Sequence, residues 1–203
     1  GAVHTRGGEF VESELSTVIN TPQRNGLVVD AWEKHIRDGG RKRTIAFCVD
    51  VAHAHDLCTT FRARGHVADV VTGATPTDER ARMYRDLKSG ALPVLISVMV
   101  LTEGFDEPLV DSALMCRPTQ SQALYIQMAG RALRQAEGKP DALIVDFVDV
   151  TARHNLQTIL TLAGDAPVEE PEEGPLDLFA GVDAAEVKLA QAESRKARIR
   201  SGA

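Results

Sequence analysis

Gln127, Arg131 and Arg134 stand at i, i+4 and i+7, the spacing that lines one stripe of an α-helix. No carboxylate lies four residues before or after either arginine, and only Glu137, three beyond Arg134, offers a local partner. Guanidinium groups so placed suit phosphate oxygens, because the planar fork stays charged and bonds oxygens in pairs. An arginine finger of this kind contributes on the order of 10³–10⁵ in rate to phosphoryl transfer. A solvated helix face explains the same spacing equally well. Gly130 sits inside this stretch, where glycine costs about 1 kcal/mol relative to alanine. Its presence predicts that another group approaches that face closely.

A second polar cluster, Leu101-Thr102-Glu103-Gly104-Phe105-Asp106-Glu107-Pro108, directly follows an apolar run. Polar side chains and a glycine at a strand's carboxyl end are where a doubly wound sheet places ligand contacts; the bland alternative is an acidic loop. The phosphate cradle itself is missing. Gly138-Lys139 is followed by Pro140, so the P-loop pattern fails. No Asp-Glu pair follows a strand as a magnesium site needs, unless Asp146 and Asp149 serve, and those read as caps of the last strand. This chain alone is therefore not expected to hydrolyse a nucleotide. His53 and His55 form an H-x-H that points to different helix faces, and both read as surface histidines, not metal ligands.

These residues need a frame to hold them. Thr44–Val49, Val67–Val71, Pro93–Val98, Ser112–Cys116 and Ala142–Phe147 are short, nearly continuous apolar runs, as buried parallel strands are. Helical patterns occupy 52–64, 76–88, 121–134 and 151–163. The alternation predicts right-handed crossovers and an open α/β sheet, mainly parallel with helices on both faces, whose site lies beyond the strands' carboxyl ends. Thr75-Pro76-Thr77-Asp78 reads as a helix start with Thr75 as N-cap, and Gly73 permits a tight turn before it. Its amides could also meet a phosphate.

Residues 1–24 read as irregular and extended, and 25–38 as a helix closed by Gly39-Gly40. Residues 164–181 carry prolines and clustered acids, a linker composition. Residues 182–203 read as a C-terminal helix, acidic early and basic late, a possible docking element for a protein partner.

The chain has 203 residues, 43% hydrophobic and 26% charged, enough to build one core. The net charge is −6; residues 165–203 hold 9 acids and 5 bases, a net of −4, so the remainder carries only −2. A near-neutral body is compatible with a local basic groove for a phosphate backbone. Cys48, Cys58 and Cys116 are odd in number and form no C-x-x-C, which favours a reducing, intracellular setting over a disulfide framework or zinc. No apolar run approaches a membrane span of roughly 20 residues. Gly1-Ala2 reads as a cloning remnant, so a longer natural chain is expected.

Gln127-x-x-Gly130-Arg131-x-x-Arg134 resembles motif VI of superfamily 2 helicases. Thr102-Glu103-Gly104-Phe105-Asp106 looks like their motif V, and Ile45-Ala46-Phe47-Cys48-Val49 with Ala52-His53-Ala54 is similar to motif IV. The three occur in the family's order over about residues 1–160, and Thr5-Arg6-Gly7-Gly8-Glu9-Phe10 resembles the interlobe linker of the branch similar to type III restriction subunits and DEAD/DEAH-like helicases. The resemblance implies a second RecA-like lobe over residues 25–163, preceded by a linker over 1–24. ATP and Mg2+ would be held mainly by an N-terminal lobe of the same longer chain. It implies Arg134 as the finger toward the γ-phosphate, Arg131 beside it, and Gln127 coupling nucleotide to nucleic acid. Glu103, Gly104, Asp106 and Gly130 would lie near the nucleotide. Val49, Asp50, Thr72, Gly73 and Thr102 would touch a DNA or RNA backbone, with DNA placed ahead of RNA. Where relatives carry Thr-Asp ahead of motif V this chain has Val98-Met99, which moves an expected hydroxyl contact to Ser97. The rival expectation is a non-catalytic nucleic-acid-binding or scaffolding module with the same fold.

Overall fold

The five apolar runs form the parallel strands of a six-stranded sheet, and they are buried because helices cover both faces. The computed structural model describes residues 4–6, 9–98, 109–119, 121–132, 134, 136, 139, 141–147 and the backbone of 188–193. A short hairpin, β1 (Thr5–Arg6) and β2 (Glu9–Phe10), leads into α1 (Glu12–Ile19) and α2 (Pro22–Ala31), which continues as a π-helical turn over Trp32–Arg37. Then come β3 (Thr44–Cys48), α3 (Val51–Ala63), β4 (Ala68–Val71), α4 (Thr77–Ser89), β5 (Val94–Val98) and β6 (Ser112–Met115). Finally α5 (Gln122–Ala132), β7 (Asp141–Asp146) and β8 (Lys188–Glu193) complete the described elements.

The strand order is β4-β5-β3-β6-β7-β8. The first five are mutually parallel, and β8 pairs antiparallel to β7. From β3 the chain crosses to β4 at one edge, returns to β5 between them, then crosses to β6 and β7 on the other side. The carboxyl end of β3 is thus flanked by strands leaving in both directions, where such sheets carry ligands.

Alternation along each strand divides the core. Ile45 and Phe47 face one side with Leu15 and Ile19 of α1, Met83 and Leu87 of α4, and Tyr125, Met128 and Ala129 of α5. Ala46 and Cys48 face the other, against Val28, Val29 and Trp32 and against Leu57, Cys58 and Phe61 of α3. Under this second layer the Trp32 indole donates to Thr44 Oγ1 at 2.9 Å, and Thr44 Oγ1 lies 2.9 Å from Ser112 Oγ. A buried indole N–H rarely goes without such a partner.

Several expectations are corrected. Residues 12–24 are not irregular: Leu15 and Ile19, four apart, bury one face of α1, and Thr21 caps α2 from Pro22 onward, its hydroxyl accepting the Arg24 N–H. Thr75 does not cap α4; its hydroxyl accepts the Thr72 N–H and closes the turn before the helix. Gly73 does lie in the expected turn, without positive φ; among the described residues the glycines of positive φ are Gly40, Gly65 and Gly90. Within the tail expected to be helical, 188–193 is an edge strand, because the free side of β7 offers unpaired backbone groups that a strand satisfies. The helix expected over 151–163 and the linker over 164–181 lie outside the described residues.

Candidate functional site

The carboxyl ends of β3 and β6 are tied together by one cation. Arg117 follows β6 by two residues and is only 5% exposed. Its guanidinium donates to the Val49 carbonyl at 2.9 Å, across to the end of β3, and to Glu12 Oε1 at 3.0 Å. Val49 itself is buried, and its N–H donates to His53 Nδ1 at 3.4 Å. Asp50 is the N-cap of α3, its carboxylate accepting the His53 N–H at 2.8 Å. The turn from β3 to α3 is therefore held from three sides.

His53 is buried, not the surface residue expected from the sequence. Burial drives its pKa down to about 4, opposed by the charges of Asp50 and Asp56. A neutral ring whose Nδ1 accepts carries its proton on Nε2. His53 is thus a structural acceptor, and among the described residues no group of three His, Cys, Asp or Glu could hold a metal ion.

Thr72 and Gly73 form the turn after β4. Arg80 of α4 gathers it from inside, donating to the carbonyls of Thr72 at 3.2 Å, Gly73 at 3.4 Å and Thr75 at 3.2 Å. Ser97 is fully buried in β5, opposite Phe47 and Val71. That removes it from a solvent-side contact, and Val49 likewise reaches no ligand through its side chain. Thr102, Glu103, Gly104 and Asp106 lie outside the described residues.

Ser121 starts α5 at the carboxyl edge, its hydroxyl accepting the Leu124 N–H at 3.2 Å. The helix then runs back along the sheet to reach β7. At roughly 1.5 Å per residue, Arg131 is carried well away from that edge, to the flank beside α4. Its charge is felt there by Tyr84, whose phenol burial pushes up while Arg80 and Arg131 pull it down. Gln127 is exposed on the same helix and Arg131 half-buried.

The expected stripe is broken at its end. The helix stops at Ala132, so Arg134 lies beyond it, exposed, with its carbonyl accepting from Lys139 Nζ at 2.7 Å. Burial lowers the Lys139 pKa to about 8. Gly130 has open space where a Cβ would sit, with nothing of the described residues within 4 Å. The close approach expected at Gly130 is therefore not made by the described residues.

Two further anchors hold α5. Tyr125 is buried against the sheet, and Asp146, the buried last residue of β7, lies against its phenol; desolvation, then the Asp146 charge, pushes the phenol pKa up. Arg117 was legible only as a polar residue following an apolar run, Asp146 only as a cap of the last strand; Lys139 lay in the failed P-loop pattern.

Chemically, Gln127, Arg131 and Arg134 present donors and positive charge, a set that fits phosphate oxygens and not a divalent cation. The carboxyl edge presents backbone and hydroxyl groups at the 49–50 and 72–75 turns, suited to a sugar-phosphate chain.

The helicase conserved C-terminal domain family model matches residues 28–136. Irc3 of Schizosaccharomyces pombe, named provisionally as a mitochondrial ATP-dependent helicase, is 42% identical over 68% of this chain and 23% of its own length. IRC3 of Saccharomyces cerevisiae, named provisionally as an ATP-dependent helicase, is 34% identical over 74% of this chain and 22% of its own. The chain thus spans less than a quarter of these relatives. Among solved structures it is similar to the C-terminal domain of the DEAD-box protein Dbp5, with a TM-score of 0.56, 26% identity, and 73% of this chain and 82% of that one covered.

Proposed function

The chain belongs to the helicase conserved C-terminal domain family, and we propose on that premise that it is the second motor lobe of an ATP-dependent nucleic-acid helicase or translocase. The observation that carries the reading is the donor set of α5 and its end: Gln127, Arg131 and Arg134, cationic and amide groups with no metal-binding acid cluster among the described residues. Such a set completes a nucleotide site; it does not make one. The lobe supplies charge toward the phosphates, while an N-terminal lobe of the longer chain brings the P-loop and the Mg2+ ligands.

In this reading Arg134 is the finger toward the γ-phosphate and Arg131 flanks it. Closing the two lobes around ATP places these charges where charge develops and excludes water. Gln127 links nucleotide to nucleic acid. Glu103, Gly104, Asp106 and Gly130 border the nucleotide, and Asp50, Thr72, Gly73 and Thr102 border the strand through its backbone. Val49 contributes by its main chain; Ser97, being buried, we leave out of the contact set.

The separation of α5's end from the carboxyl edge supports distinct roles for them, with the α5 donors turned to nucleotide and the 49–50 and 72–73 turns to nucleic acid. A Saccharomyces cerevisiae Dbp5 variant bound to RNA and ADP BeF3 has a similar fold, 25% identical with a TM-score of 0.54. For this chain the partner is the phosphate backbone of DNA or RNA. Buried cysteines in the free thiol form and the mitochondrial designation of one relative support an intracellular setting. No helix among the described residues is long and apolar enough to cross a membrane.

The test is Arg134→Ala in the full-length protein. Nucleic-acid-stimulated ATP hydrolysis should fall by about 10³-fold or more while ATP binding is largely kept. A normal kcat would make Arg134 an ordinary surface residue. The 203-residue chain alone should show no ATPase activity, and robust turnover by it would sink the half-site reading.

A further inference from the structure

Arg117 is a buried cation that the reading above does not use. It stands at the carboxyl edge, 5% exposed, with two acceptors among the described residues: the Val49 carbonyl and a Glu12 carboxylate whose side chain is 55% exposed. Its Nε is buried with no hydrogen-bond partner among the described residues. Glu12 comes from the first turn of α1, 105 residues away in the chain, and α1 packs Leu15 and Ile19 into the same core layer as Tyr125, Met128 and Ala129 of α5.

The energetics give the pair a direction. A half-exposed ion pair by itself contributes little. A buried guanidinium that loses its carboxylate is another matter, because an uncompensated charge remains in a dry site. Undocking the first turn of α1 would therefore push Arg117 to swing out, and in doing so to release the Val49 carbonyl. The 49–50 turn would then rest only on the His53 and Asp50 contacts.

We propose that Glu12 and Arg117 form a latch that couples the docking of the segment entering this lobe to the shape of the 49–50 turn. Both are positioning residues: neither touches nucleotide or strand, and Arg117 acts through the Val49 carbonyl. The proposal rests on the helicase reading for its consequence, since that turn is the one assigned to the nucleic-acid backbone. The entering segment is also the one that would join the two lobes. Lobe movement transmitted along it thus reaches the strand-binding edge through Arg117.

The experiment has two arms. In the 203-residue chain, Glu12→Gln should raise amide hydrogen exchange at Val49 and His53 by about fivefold, the equivalent of ~1 kcal/mol, with β5 protection unchanged. Unchanged exchange at 49–53, or a uniform rise across the sheet, would overturn the latch. In the full-length protein, ATP hydrolysis is titrated with oligo(dT) and with poly(U). Glu12→Gln and Arg117→Met should raise the half-saturating strand concentration about fivefold or more, with kcat at saturating strand kept within about twofold. Arg117→Lys, which keeps the charge, should recover part of the shift. A loss of kcat with no shift in half-saturation would reduce the pair to a fold contact. A wild-type enzyme indifferent to both strands would sink the helicase reading, and the exchange arm would still decide the latch.

Discussion

The Lys139 ammonium donates to the Arg134 carbonyl at 2.7 Å, closing the chain just past α5. Arg134 lies outside the helix, and this contact to its carbonyl helps to fix its position. Lys139 in turn sits among Asp111, Arg41 and Asp141, and Arg41 pairs with Asp141 at 2.7 Å. Lys139→Met in the full-length protein should lower kcat for ATP by about tenfold, well short of the Arg134→Ala loss, with the KM for ATP little changed. A kcat equal to wild type would show that Arg134 is held by other means.

Beneath α2, the Trp32 indole, Thr44 and Ser112 form a buried hydrogen-bonded row at the amino ends of β3 and β6. Thr44→Val keeps the volume and removes the acceptor. The indole N–H is then buried without its partner, which costs about 1–3 kcal/mol. Urea denaturation should show that loss in the midpoint with an unchanged slope, while strand binding, at the opposite edge, stays as in wild type.

His53 predicts how stability follows pH. Burial holds its folded pKa near 4, against an ordinary 6.5. Between these values the unfolded chain binds a proton that the native chain refuses, so stability rises with pH there. The contribution is complete above about pH 6.5 and is lost as pH falls toward 4, at ~1.4 kcal/mol per unit and at most ~3 kcal/mol in all. His53→Gln keeps an acceptor for the Val49 N–H without titrating. It should flatten the difference between unfolding midpoints measured at about pH 5 and pH 7. An equal slope in wild type and variant would assign the pH dependence to other groups.

The five parallel strands were legible because each run is apolar on both faces, and alternation with helices left few topologies. The motif residues were legible by type and spacing. What escaped the sequence depended on distance along the chain. The α1 helix shows only Leu15 and Ile19 as apolar anchors in a polar stretch, and its stability comes from packing beside α5. Arg117 gains meaning only once Glu12 and Val49, 105 and 68 residues away, are brought to it. The tail misled because Lys188–Glu193 has helix-forming composition, while the open side of β7 supplies hydrogen bonds that favour a strand. Thr75 fitted the N-cap pattern, yet the neighbouring Thr72 amide took its hydroxyl first.

Gly130 separates stability from function. It lies within α5, and a Cβ there meets nothing of the described residues within 4 Å. In the 203-residue chain, Gly130→Ala should therefore stabilise the helix by up to ~1 kcal/mol through propensity alone. In the full-length protein, the proposed reading puts a nucleotide and the other lobe against this face. An added methyl would then hinder closure, lowering kcat/KM for ATP while the melting temperature rises. Both quantities are read on one preparation, by thermal unfolding and by steady-state ATP hydrolysis. Higher stability with undiminished kcat/KM would show that nothing closes over Gly130, and would move the nucleotide away from this face of α5.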